Sequence, residues 1–227
     1  MNSAIIVAAG KSERMGTGSD KAFLSLGPRP LVAWSLLAFE RCPDIEQIVL
    51  VVRKERLLAA RGVAQMFGIS KLRTIIVGGA RRQDSVWNGL EALDPETRIV
   101  AVHDGARPCI EAELISATIQ SAKRFGSGVA ASRILDTVKF VKHGATVDHT
   151  LDRDNLWTVQ TPQTFKLDLL RQAYAKVAAA GTTVTDEAAA VELLEAGVRL
   201  VEWPRQNPKI TTAEDLPIAA AILKIQG

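Results

Sequence analysis

Short runs of apolar, mostly β-branched residues recur along the chain, at 4–8 (AIIVA), 48–52 (IVLVV), 74–77 (TIIV), 99–102 (IVAV), 128–131 (GVAA) and 199–203 (RLVEW). They are nearly continuous rather than alternating, the pattern of strands covered on both faces. Between them the period lengthens to that of helices. Residues 31–41 (LVAWSLLAFER) carry apolar side chains at 31, 32, 34, 36, 37 and 39. Residues 83–93 put Val86, Leu90 and Leu93 on one face, and residues 111–124 offer Leu114, Ile115, Thr118, Ile119 and Ala122. Strand and helix in alternation predict an α/β protein, with a mostly parallel sheet between helices and right-handed crossovers. In such sheets ligands collect at the carboxyl ends of the strands.

Residues 133–160 break this rhythm by alternating polar and apolar positions, with a His-Gly pair at 143–144. The pattern predicts two antiparallel strands, 136–142 and 146–150, in a hairpin arm projecting from the α/β body. An isolated two-stranded arm is marginal in water, so it needs a surface to lie on, such as a second subunit. Further on, Thr185 is expected to cap a helix running through AAAVELLEA to Gly197, with Asp186 and Glu187 favouring its N-terminal dipole. Thr211-Thr212-Ala213-Glu214 has the form of a capping box, although Pro217 obscures where that helix starts.

The 227 residues suit one domain, residues 1–227, with the arm at about 133–160 included. A net charge of +3 is too mild to call for nucleic acid and suits a local site for small anions. Two cysteines, Cys42 and Cys109, and three histidines make no metal-ligand pattern. No apolar run reaches the ~18 residues of a membrane span, and no basic segment precedes the first apolar run. The expectation is a cytoplasmic protein with no membrane partner.

The first strand ends in a glycine-bearing, cationic loop, IIVAAGKSERMGTGSDK (5–21). A strand, a glycine turn and then a helix aim backbone N–H groups at an anion. The glycines at 10, 16 and 18 fit neither G-x-G-x-x-G nor G-x-x-x-x-G-K-[ST], so the dinucleotide and P-loop readings both fail. Two more strand ends carry similar chemistry. GGARRQDSV (78–86) has two glycines that permit close backbone approach to a flat ligand, and VHDGARP (102–108) delivers Asp104 and Arg107. Taken singly, Asp104 suits a helix cap or a turn residue and Arg107 a surface ion pair; three such strand ends together point to one site.

AAGKSERMG with Lys21, GGARRQDSV, VHDGARP, DTVK (136–139), DRDNLWTVQTPQTF (152–165), TDEAAAVE (185–192) and NPKIT (207–211) occur in that order. On these blocks the chain resembles the 2-C-methyl-D-erythritol 4-phosphate cytidylyltransferase family. The A-A-G-x-x-x-R-M block is shared widely among nucleotidyltransferases, whereas the DR-x-x-LW-x-x-x-TPQ and TDE blocks are more specific.

The resemblance implies a Rossmann-like nucleotidyltransferase fold. It also implies transfer of the cytidylyl group of CTP to the polyol phosphate, with release of pyrophosphate, in isoprenoid precursor synthesis. Arg14 and Lys21 correspond to the pair that stabilises the transition state. Arg153 and Lys209 correspond to residues that position the attacking phosphate. The turn at Ala8, Ala9 and Gly10 would line the nucleotide, Gly79, Ala80 and Ser85 would read the cytosine, and Asp104 and Ala106 would meet the ribose and polyol hydroxyls. Arg107, Thr137, Thr161 and Thr185 are supporting substrate contacts. The family implies Mg²⁺ carried chiefly by the CTP phosphates, and a homodimer in which the arm brings Thr137 and Arg153 to the neighbour's site. Bland alternatives stay open for Lys209, as a solvated loop lysine, and for Arg153, as an ion pair with Asp152 or Asp154.

This chain departs from the family at Asp20-Lys21-Ala22, where relatives often have proline before the lysine and glutamine after it. Asp20 is therefore expected to point away from the phosphates or to pair with Lys11 or Arg14. The loop at 16–19 is expected to order on binding CTP. A cytidylyltransferase for another polyol phosphate, such as ribitol 5-phosphate, is the nearest rival reading. A non-catalytic nucleotide-binding module has no use for the second-substrate cations, and a dinucleotide oxidoreductase lacks its glycine spacing.

Overall fold

The computed structural model describes residues 1–10 and 20–225. Seven strands form the main sheet: β1 (Asn2–Ala8), β4 (Gln47–Val52), β5 (Leu72–Val77), β6 (Ile99–Asp104), β7 (Ser127–Arg133), β10 (Trp157–Lys166) and β11 (Leu200–Glu202). Two short antiparallel pairs lie outside it, β2 (Ser25–Leu26) with β3 (Arg29–Pro30), and β8 (Lys139–Phe140) with β9 (His149–Thr150). The order across the main sheet is β11-β7-β10-β6-β1-β4-β5. The β1, β4, β5 and β6 ladders and the β11–β7 ladder are parallel, while β10 runs antiparallel to both β6 and β7.

The helices are α1 (Leu31–Arg41), α2 (Leu57–Met66), α3 (Arg82–Glu91), α4 (Ala112–Phe125), α5 (Leu167–Ala180), α6 (Glu187–Glu192) and α7 (Asp215–Ile222). Alternation along the strands sends side chains to opposite faces. Ala4, Ile6, Ile48, Leu50 and Val52 meet Val32, Leu36, Phe39, Leu114 and Ile115 on the side of α1 and α4. Ile5, Val49, Val51, Val100 and Val102 meet Val86, Leu90, Leu170 and Tyr174 on the side of α3 and α5. Burial on both faces explains the unbroken apolar runs. β4 and β6 are buried at every position.

Some expectations are corrected. Residues 157–160, taken in the sequence as the end of the arm region, belong instead to the ten-residue strand β10 (Trp157–Lys166) of the main sheet. Its ladder to β7 is irregular between Val159 and Gln163, around a cis Thr161–Pro162 peptide. The arm leaves the sheet between the ends of β7 and β10 and pairs over two residues per strand, Lys139 with Thr150 and Phe140 with His149. Its flanks are exposed, and a ribbon with no covered face has little to hold a longer ladder. Gly144, with φ of 64°, makes the expected turn. Asp186 rather than Thr185 caps α6, accepting from Ala189 N at 2.9 Å, and the helix ends at Glu192, short of Gly197. At α7, the carboxylate of Asp215 gathers the N–H groups of Thr211 and Thr212, so no Thr/Glu capping box forms.

Candidate active site

Four neighbouring strands end level with one another. Val77 pairs with Val52, Val52 with Ala8, and Val7 with Asp104. The chain β1 lies where connections run to β4 on one side and β6 on the other, the switch point at which a parallel sheet opens a crevice. A cleft of about 410 Å³ occupies this place. Its walls are the turn Ala8-Ala9-Gly10, Lys21, the segment Gly79-Ala80, the first turn of α3 with Ser85, and Asp104, Ala106 and Lys209. Among the lining residues, five are basic (Lys21, Arg53, Arg81, Arg82 and Lys209) against the carboxylates Asp20 and Asp104. That balance, beside a helix N-terminus and a glycine turn, suits a polyphosphate.

Local chemistry explains each wall. Gly78 has no room for a side chain, since a Cβ there would lie 2.5 Å from Ala9 Cβ and 2.7 Å from Ser85 Oγ. The close approach lets Gly79 N–H donate to Ser85 Oγ at 3.0 Å while the Ser85 hydroxyl donates to Arg81 C=O at 3.1 Å. Asp84 accepts from Arg81 N–H at 3.0 Å and steadies the start of α3. Asp20 lines the cleft but is almost wholly buried: its carboxylate caps the turn at Lys21–Phe23 and faces Arg56 Nε at 3.7 Å. Burial raises its carboxyl above the usual value, against the pull of the Ala22 N–H and Arg56. Among the described residues it pairs with Arg56; Lys11 and Arg14, the partners expected from the sequence, and the loop 16–19 lie outside the described residues.

Asp104 is the electrostatic centre. Arg82 Nε donates to its Oδ1 at 3.1 Å, and Lys209 Nζ lies 2.7 Å from its Oδ2. Burial works to raise the Asp104 carboxyl, but Arg82 and then Lys209 hold it well below the ordinary carboxylate range. Arg82 in turn grips Glu187 with both terminal nitrogens, at 2.6 and 3.1 Å. Burial disfavours the charged guanidinium, yet Glu187 and Asp104 keep its affinity for the proton well above normal.

Beneath Asp104, a neutral relay fixes the strand end. Arg107 C=O can only accept, so the His103 Nε2 at 3.3 Å carries the proton. Nδ1 then accepts from the Thr161 hydroxyl at 3.1 Å, and Thr161 Oγ1 receives Asp104 N–H at 3.1 Å. His103 is fully buried, which pushes its pKa down to about 3 and keeps it neutral. Asn207 Nδ2 donates to Thr161 C=O at 2.8 Å, and Ile210 N–H to Ala106 C=O at 2.8 Å. These bonds staple the segment carrying Lys209 to the 104–107 loop.

The structure therefore brings together Ala8, Ala9, Gly10, Lys21, Gly79, Ala80, Ser85, Asp104, Ala106 and Lys209, all foreseen in the sequence. Arg107, Thr137, Arg153, Thr161 and Thr185 do not line the cleft. Thr161 is buried below it with its hydroxyl engaged, and Arg107 donates to Asn207 C=O at 2.7 Å instead of facing solvent. Thr137 and Arg153 sit on the exposed arm; Arg153 donates to Leu135 C=O rather than pairing with Asp152 or Asp154. Thr185 is exposed beside the α6 cap. Arg82 and Glu187 were missed, although both fall inside quoted motifs. The signal for Glu187 was its place three and four residues before Ala190 and Val191, on the buried face of its helix.

A strand-end cleft lined by glycine turns and cations, in a mixed α/β sheet, defines a nucleotide-handling protein. The comparisons make it specific. Residues 2–225 match the family model for 2-C-methyl-D-erythritol 4-phosphate cytidylyltransferase. A protein of that name from Alkaliphilus oremlandii is 42% identical over 223 residues, 98% of this chain and 94% of the relative. One from Pelotomaculum thermopropionicum is 42% identical over 222 residues, 97% and 93%. The crystal structure of 4-diphosphocytidyl-2C-methyl-D-erythritol synthase from Anaerococcus prevotii superposes with a TM-score of 0.87 at 32% identity, over 98% of this chain and 96% of that one. The chain belongs to the 2-C-methyl-D-erythritol 4-phosphate cytidylyltransferase family: it is a nucleotidyltransferase that transfers the cytidylyl group of CTP to 2-C-methyl-D-erythritol 4-phosphate in isoprenoid precursor synthesis.

Proposed function

We propose that the strand-end cleft is the reaction site, with the CTP triphosphate against Lys21 and the 8–10 turn and the cytosine toward Gly79, Ala80 and Ser85. A phosphate oxygen of the polyol substrate attacks the α-phosphorus. As that P–O bond forms, the bond from the α-phosphorus to the bridging oxygen breaks, and pyrophosphate leaves with the electron pair. The second pKa of a phosphate monoester is ~6, so the nucleophile is already largely a dianion and needs no base. The work left to the protein is to hold two anions together and spread charge in the transition state. Lys21 and Arg14 take that role, and Lys209 with Arg153 from the arm of a second copy hold the attacking phosphate. The observation that carries this reading is the convergence of Lys21, Lys209 and the glycine turns on one cleft.

Base choice follows from Ser85. Its proton is committed to Arg81 C=O, so it offers a ligand only a lone pair, which accepts from the 4-amino group of cytosine and repels the 4-oxo group of uracil. Mg²⁺ fits as an ion carried by the nucleotide, because among the described residues no group of three or more His, Cys, Asp or Glu is placed to hold a metal and Asp104 is occupied by two cations. When bound, it would neutralise triphosphate charge and orient the leaving group.

A homodimer belongs to the same reading. The arm exposes Leu135, Phe140, Val141 and Val147, apolar side chains that a second copy would cover. So does a cytoplasmic location, since CTP is made there and Cys42 and Cys109 are buried free thiols. Among the described residues no helix is long and apolar enough to cross a membrane.

Pyrophosphate release tests the proposal, with CTP, UTP and ATP crossed against methylerythritol phosphate and ribitol 5-phosphate. Turnover with CTP and methylerythritol phosphate is expected to dominate, and Lys21→Ala to lower kcat by about 10²–10³-fold. A Lys21→Ala enzyme within a few-fold of normal would place the charge stabilisation elsewhere.

A further inference from the structure

The floor of the cleft continues inward from Lys209 as a row of alternating charges whose further members the mechanism above does not use. Lys209 meets Asp104 Oδ2 at 2.7 Å, Arg82 Nε meets Asp104 Oδ1 at 3.1 Å, and both Arg82 terminal nitrogens meet Glu187. The Tyr174 hydroxyl closes the row, donating to Glu187 Oε1 at 3.1 Å. Glu187 has no exposed surface, so it touches neither substrate from where it stands.

The geometry of Arg82 shows what Glu187 does. A guanidinium carries five donors in a rigid fork and prefers to take both oxygens of a carboxylate at once. Facing Asp104 alone, Arg82 would draw both of its oxygens into that grip and compete with Lys209 for Oδ2. Glu187 works against this by taking one N–H from each of Nη1 and Nη2 and so holding the fork turned toward itself, in an orientation where only Nε reaches Asp104, at a single oxygen. The second oxygen stays with Lys209, whose ammonium is held at the cleft wall with further N–H donors to spend on a ligand.

We propose that Glu187 is a positioning residue for cytidylyl transfer: by dividing the donors of Arg82 it keeps one oxygen of Asp104 for Lys209 and so sets where the attacking phosphate is received. This rests on the reading that Lys209 holds that phosphate. Glu187→Gln tests it with little change of shape, because the amide accepts from only one Arg82 nitrogen and releases the other toward Asp104. The expected result is a fall of about 10–100-fold in kcat/KM for the polyol phosphate, the scale of a misplaced substrate contact, with KM for CTP within about threefold.

A double-mutant cycle separates this from a general loosening of the fold. In a Lys209→Ala background, Glu187→Gln should change kcat/KM by no more than about twofold, since its route to the substrate is gone. Independent, multiplying effects would overturn the proposal, as would an equal loss in CTP binding. If Lys209→Ala alone leaves polyol phosphate kinetics unchanged, it is the assignment of Lys209 that fails, and the proposal with it. Should Glu187→Gln not fold, as judged by circular dichroism, Tyr174→Phe serves in the same cycle. It removes only the hydroxyl bonded to Glu187 and should lower kcat/KM for the polyol phosphate by about 2–4-fold, with no further loss once Lys209 is alanine; again, a multiplying effect overturns the proposal.

Discussion

His103 is neutral and fully enclosed next to Asp104, whose carboxylate two cations hold charged, and its environment makes stability depend on pH. The unfolded chain takes up a proton on this imidazole near 6.5, whereas the folded chain resists until about 3. Between those values the unfolded state binds more protons, so stability is complete above about pH 6.5 and is lost as pH falls toward 3. Asp104 adds to the loss at lower pH: its folded carboxyl titrates below the ordinary 3.8, so its contribution is present above that value and disappears as pH falls beneath it. Calorimetry from pH 7.5 to 4.5 should show Tm falling, and His103→Gln should flatten the slope. Parallel slopes would mean the imidazole titrates freely in the folded protein. Ser85→Ala removes the lone pair proposed to read the base, and the ratio of CTP to UTP turnover should fall by about tenfold or more. An unchanged ratio would assign the choice of base to the backbone.

Helix α6 shows how one acidic side chain ties an element to the sheet. Asp186 caps the helix through Ala189 N–H and accepts from Gln163 Nε2 at 2.9 Å, while Gln163 Oε1 receives Ala188 N–H at 2.9 Å. Asp186→Ala should therefore cost about 1 kcal/mol or more in urea unfolding, the scale of a lost cap, and Thr185→Ala almost nothing. Equal costs would restore Thr185 as the effective cap. The contact of α4 with β7 is closer still. A Cβ on Gly128 would lie 2.3 Å from Thr118 C=O, against backbone that has nowhere to move. Gly128→Ala should destabilise by ~1–3 kcal/mol through overpacking. This lies far from the cleft, so CTP affinity of the folded fraction should be kept.

At the scale of the whole molecule, the proposed dimer would give the exposed arm a purpose. If each reaction centre combines Lys21 of one copy with Arg153 of another, then Lys21→Ala and Arg153→Ala proteins are each inactive alone but complementary. Unfolding and refolding them together at equal amounts makes about half the dimers mixed, and each mixed dimer contains one intact site of two. Activity should recover to about a quarter of that of the unaltered enzyme. No recovery, with mixed dimers demonstrated by mass spectrometry, would confine both residues to one chain.

Periodicity and turn chemistry act over a few residues, and that much was open to reading along the chain. The parallel strands, α1 at residues 31–41, and the glycine turns that end β1, β5 and β6 all appear where the pattern put them. Of the ten foreseen cleft residues, Ala8, Ala9, Gly10, Gly79, Ala80, Asp104 and Ala106 were legible because each sits within a few positions of a strand end, whereas Lys21, Ser85 and Lys209 lie further from one and were placed by the family resemblance. What escaped depended on partners distant in sequence. Arg82 and Glu187 are 105 positions apart, and nothing near either one shows that it will be buried against the other. Thr161 and His103, 58 positions apart, exchange a hydrogen bond only because β10 enters the sheet antiparallel beside β6. A side chain's residue type sets what it can donate or accept. Whether it meets substrate, another charge or the core depends on which strands lie side by side, and that is decided when the chain as a whole buries its apolar surface.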